Sequence, residues 1–112
     1  MDQIPKHIKR ALRQLADRAY EIDLGRELTA LRGEFDRWQR GDITAFDLTE
    51  AVHRFHRGPA RDLFVTYTNQ YPKAAVAYAI QAGVLDRTQI AKDVLDELAG
   101  ALSMYEASKS AQ

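Results

Sequence analysis

The chain contains no cysteine. That absence excludes a disulfide framework, a thiol nucleophile and a cysteine-bound zinc, and it fits a reducing compartment. Serine occurs at Ser103, Ser108 and Ser110 alone, all in the last stretch, which gives a serine nucleophile little ground. No sign of charge dominates: 16 basic and 16 acidic residues cancel, so a footprint for coating a nucleic-acid duplex is not expected of the whole chain. The sequence has no Gly-rich phosphate loop, no Gly-x-Ser-x-Gly elbow and no His-Glu-x-x-His. The start, Met1-Asp2-Gln3-Ile4-Pro5-Lys6-His7, has no apolar core of the kind a signal peptide needs, so a cytoplasmic protein is expected. No segment alternates with period two for long enough to make a strand, and no repeat recurs at solenoid spacing.

Long apolar runs are also missing, with one partial exception. From Pro72 to Leu85 no side chain after Lys73 is charged. A membrane span needs about 20 apolar residues, so this run is too short to be one. A helix apolar nearly all round must be enclosed by other elements. Pro72 suits a first helical position and Gly83 a stop, which predicts a buried central helix over about 72–83.

The remainder is periodic. Ile8, Leu12, Leu15, Ala19 and Ile22 form one helical stripe, and Leu24, Leu28, Leu31, Phe35 and Trp38 form a second. The step from Ile22 to Leu24 turns by about 200° on a continuous helix, so a break near Asp23-Leu24-Gly25 is expected. If the rod were instead continuous, its second stripe would need another chain to cover it. Thr44 with Asp47 predicts a capping box, opening a helix whose Ala45, Leu48, Ala51, Val52 and Phe55 share an inward arc. Gly58-Pro59 should end that helix and start another, with Leu63, Phe64, Tyr67 and Tyr71 inward. Asp86 with Gln89 predicts the cap of a last helix carrying Ile90, Val94, Leu98, Ala101, Leu102 and Tyr105. The expectation is an all-α fold, a compact bundle of five to six short helices, with one domain over 1–107 and a frayed polar tail at 108–112.

Charge is unevenly spread. Lys6, Lys9, Arg10, Arg13 and Arg18 outweigh the acids near the start, while Asp86, Asp93, Asp96, Glu97 and Glu106 outweigh the bases near the end. The simplest reading sets the two terminal helices against each other or against a symmetry mate.

Local motifs are few. Asp36 to Asp47 resembles an EF-hand loop, with Asp first, Gly41 sixth, Ile43 eighth and an acid twelfth. Its third and fifth positions hold Trp38 and Arg40 where calcium wants oxygens, so the stretch is read as a helix-turn-helix corner. Glu50, His53 and His56 have Glu-x-x-His and His-x-x-His spacing, which places metal-ligand types one turn apart. A di-metal bundle would need a second such motif, and none exists; a solvated face with Glu50 paired to Arg54 is the plainer reading. His53, Arg54, His56, Arg57 and Arg61 crowd cationic groups around the Gly58-Pro59 corner, a place where an anion could be held. Phe46 falls on the polar side of its helix and is expected to pack beneath a neighbour, with an exposed aromatic anchor as the alternative.

These signals favour a small protein that acts by protein-protein contact or regulation, as a homodimer or with another protein, without catalysis, metal or cofactor. Phe46, Glu50, His53, His56, Arg57 and Arg61 are its candidate contact residues. A metal- or histidine-dependent enzyme centred on Glu50, His53 and His56 is the rival, and nucleic-acid binding through the basic first helix is a third reading.

Overall fold

The computed structural model describes the backbone of residues 4–110 and the side chains of residues 4–107; the side chains of the expected frayed tail at 108–112 lie outside the described residues. The described residues are all helix and turn. In order they form α1 (Lys6–Gln39), α2 (Ala45–Phe55), a π-helical turn (His56–Ala60), α3 (Arg61–Thr68), α4 (Pro72–Gln81), a 3-10 turn (Arg87–Gln89) and α5 (Lys92–Ser110). No described helix is long and apolar enough to cross a membrane.

Two expected boundaries are absent. α1 runs without interruption through Asp23 and Gly25. One glycine in a helix interior costs about 1 kcal/mol, whereas a break there would create two new helix ends with four unsatisfied backbone groups each. The Thr29 hydroxyl also donates to the Gly25 carbonyl at 2.9 Å, inside an intact turn. Nor does Gly58-Pro59 end the next helix. α2, the π turn and α3 run on as one helical stretch. Pro59 would leave the Phe55 carbonyl without its donor and press its ring on that carbonyl in an α-helix; a widened π turn is one way a helix accommodates such a misfit. The described residues therefore make four helical rods, fewer and longer than the expected five to six.

True ends carry the right chemistry. Gly41 and Gly83, at φ 82° and 75°, are the described residues with left-handed backbone. At the first, the Gly41 and Asp42 N–H groups donate to the Trp38 and Arg37 carbonyls at 3.0 and 2.9 Å. At the second, Gly83 and Val84 donate to Ile80 and Ala79 at 3.1 and 2.8 Å. Both are Schellman motifs, in which an αL residue lets the chain turn back onto the last carbonyls. Asp86 caps the 3-10 turn, accepting from the Thr88 N–H at 3.0 Å, and not the last helix. The reason lies at Ile90, whose extended backbone (φ −101°, ψ 135°) separates the turn from α5.

The chain divides into two compact units, Met1–Ala19 with Tyr67–Gln112 and Tyr20–Thr66. The first holds a dense core. Ile8, Leu12, Ala16 and Ala19 of α1 are buried in it, as are Tyr67, Ala75, Val76, Ala77, Ala79, Val84, Leu85, Val94, Leu98 and Leu102. α4 packs on α5, and its alanines permit the close approach that Val76, with no exposed surface, completes. The Tyr67 and Tyr78 rings meet edge to face, centroids 6.1 Å apart. At its rim Lys73 pairs with Glu97 at 3.1 Å, and His7 meets Asp93 at 3.2 Å, the one point where the basic first helix touches the acidic last one among the described ion pairs.

The second unit is a hairpin of the later part of α1 against α2 and α3. It buries far less: Leu48, Ala51 and Leu63, each 8% exposed, are its best-covered side chains.

Candidate functional site

The six candidate residues sit on the second unit, along α2, the π turn and the start of α3. Their frame is the corner after α1. Arg40 closes it by pairing with Asp42 at 3.2 Å, and Asp36 and Trp38 lie within the helix rather than in a loop, so the corner has no calcium-loop geometry. The capping box forms as expected: the Asp47 N–H donates to the Thr44 hydroxyl oxygen and the Thr44 N–H donates to the Asp47 carboxylate, both at 3.0 Å. The Thr44 backbone bond, then its hydroxyl, then Arg37 and Arg54 hold the Asp47 carboxyl below its ordinary value.

From that cap, Phe46, Glu50, His53 and Arg57 follow at steps of four, three and four residues, which lines them up on one side of the rod. Phe46 is 87% exposed. The expectation that it packs under a neighbour is therefore wrong: it lies about 200° round the helix from Leu48, the residue aimed inward, and an eleven-residue helix in a two-rod hairpin has no neighbour on that side. Glu50 pairs with Arg57 at 3.7 Å and not with Arg54. Arg54 instead lines a shallow groove against Glu27, Ala30, Leu31 and Glu34 of α1.

His56, Arg57 and Arg61 come together. With Tyr20, Ala60 and Phe64 they line an open cleft of about 730 Å³. Two guanidinium groups beside an aromatic face form a surface that accepts a carboxylate or a phosphate on one side and a flat apolar group on the other. Phe46, Glu50 and His53 do not line it. All three of Glu50, His53 and His56 are exposed, and among the described residues no group of three or more histidine and acidic side chains is placed to hold a metal ion.

A larger feature escaped the reading of single motifs. Leu28, Phe35 and Trp38 of the second stripe remain 42 to 47% exposed, and Phe64 and Val65 of α3 are 58 and 57% exposed. Of the expected stripe Leu63, Phe64, Tyr67 and Tyr71, Leu63 and Tyr67 are buried as expected, whereas Phe64, about 100° round from Leu63, and Tyr71 are exposed. The signal was available. Two stripes on opposite sides of an unbroken α1 give the later one a single partner rod, and one rod cannot cover a stripe that ends in Phe and Trp.

No protein-family model, curated protein or solved structure gives a significant match to the chain.

Proposed function

We propose that this is a cytoplasmic protein-interaction or regulatory module without catalysis of its own, and that the hairpin Tyr20–Thr66 docks on a second copy of the chain. One observation carries the reading. The hairpin buries no side chain better than 8% exposed while leaving Leu28, Phe35, Trp38, Phe46, Phe64 and Val65 open to solvent. Exposed apolar surface rimmed by charge is what docking sites are made of, and aromatic residues beside arginine are the groups that dominate interface energies. Arg57 and Arg61 supply the charge here, with Glu50 as a ready internal counter-ion that a partner's carboxylate would replace.

A second copy is favoured because the chain is electrically neutral, so that no net repulsion opposes its pairing with itself. In the same reading α4 is the central helix of a compact bundle formed by the other unit.

Sedimentation equilibrium tests the proposal. The wild-type chain is expected to approach twice 12.7 kDa as concentration rises. The double variant Trp38→Ser/Phe46→Ser is expected to stay monomeric with unchanged helix content, since both side chains are exposed. Equal association of the two proteins would remove the hairpin from the interface.

A further inference from the structure

A second convergence of positive charge lies in the other unit. Lys9, Arg10 and Arg13, on one side of the first turns of α1, meet Lys73 of α4 around a cleft of about 680 Å³ that Ile4, Leu12, Gln70, Tyr71 and Pro72 complete. Four cationic side chains line this cleft, and among the described residues no acid does. Lys73 reaches out of it to Glu97 at 3.1 Å, whereas Lys9, Arg10 and Arg13 make no ion pair among the described residues. More than fifty positions separate Lys73 from the other three, so the fold, not sequence adjacency, gathers them.

The rest of the lining is apolar and flat. Tyr71 is 60% exposed; its hydroxyl accepts from the Gln70 amide at 2.6 Å, and its backbone N–H donates to the Asn69 side chain at 2.7 Å. An exposed aromatic ring offers its face to a planar group that stacks on it. The volume lies within the range of small-molecule sites, and α4 begins at Pro72, so the positive end of its dipole adds to the same wall.

We propose that this cleft binds a small organic phosphate with a flat ring system, the chemistry of a nucleoside diphosphate. The phosphates would be taken by Arg10, Arg13, Lys9 and Lys73, and the ring by Tyr71. Nothing in this depends on self-association of the hairpin, because every lining residue belongs to the other unit. A single-stranded nucleic acid would use the same charges but needs a groove that tracks a backbone over several nucleotides, and a cleft of this size takes one.

The test is a titration of the full chain, followed by amide NMR shifts and calorimetry, with ADP, pyrophosphate, adenosine and a single-stranded oligo(dA) as probes. ADP is expected to shift amides within 9–13 and 70–73 and to bind at least tenfold more tightly than pyrophosphate or adenosine. Arg10→Ala/Arg13→Ala should lose at least tenfold of the ADP affinity, and Tyr71→Ala should weaken ADP severalfold while leaving pyrophosphate unchanged. All three substituted side chains are exposed, so an unchanged circular dichroism spectrum shows that the fold is kept. The proposal is overturned if ADP shifts no amide in these segments, if the double arginine variant binds ADP as the wild type does, or if oligo(dA) binds more tightly per nucleotide than ADP.

Discussion

Gly25 and Gly83 are expected to answer the same substitution with opposite signs. Gly25 lies in the unbroken interior of α1, and a Cβ added there meets nothing within 4 Å. Gly25→Ala therefore removes unfolded-chain freedom at no steric cost and should stabilise the protein by about 0.5–1 kcal/mol in urea denaturation. Gly83 has equal space but sits at φ 75°, so Gly83→Ala should cost about 1–2 kcal/mol. Were Gly25→Ala destabilising, the helix would be broken in solution after all. Thr44 offers a second residue-scale test. Thr44→Ala should cost about 1 kcal/mol as an N-cap loss. The Asp47 carboxyl, held low by its bonds to Thr44, titrates below its unfolded value of 3.8 in the folded chain. Its contribution to stability is therefore complete above about pH 5 and is lost as pH falls through the folded value. A carboxyl chemical-shift titration should give a low Asp47 midpoint in the wild type that rises toward 3.8 in Thr44→Ala.

Among the elements, what could be read from the chain was what a short-range rule decides. The Thr44 cap, the stops at Gly41 and Gly83, and the inward faces through Ile8, Leu12 and Ala19 and through Val94, Leu98 and Leu102 follow from spacing and turn chemistry. Illegible were the places where two local preferences compete. At Asp23-Gly25 a weak breaker lost to the continuity of a long rod, and at Gly58-Pro59 a strong one was absorbed by a π turn. Phe64 neighbours Leu63 on the wheel of α3, and only the narrower line through Leu63 and Tyr67 is covered. Within the candidate site, spacing groups His53, Arg54, His56, Arg57 and Arg61, of which His56, Arg57 and Arg61 line one cleft while His53 and Arg54 do not; the exposure of Phe46 is not legible, because a helical wheel gives direction but not whether anything lies there. The contrast between the units also makes a prediction. Leu98 has no exposed surface, so Leu98→Ala should cost about 2–5 kcal/mol, against less than about 1 kcal/mol for Phe64→Ala in the monomer, both read from chemical denaturation.

At the scale of the whole molecule, one sequence carries two kinds of surface economy. Residues of α1 up to Ala19, with α4 and α5, close a core that leaves Leu12, Val76 and Leu98 almost without solvent contact. Residues 20–66 form a hairpin too thin to do so, and its aromatic side chains remain available. A protein arranged this way is expected to gain order in the hairpin when it associates and to leave the other unit unchanged. Hydrogen exchange followed by mass spectrometry over a range of protein concentrations tests that most directly. Amides within 20–66 should exchange more slowly as concentration rises while those of 6–19 and 67–107 keep constant rates. Exchange in the hairpin that is independent of concentration, or protection that grows in the other segments instead, would contradict the account.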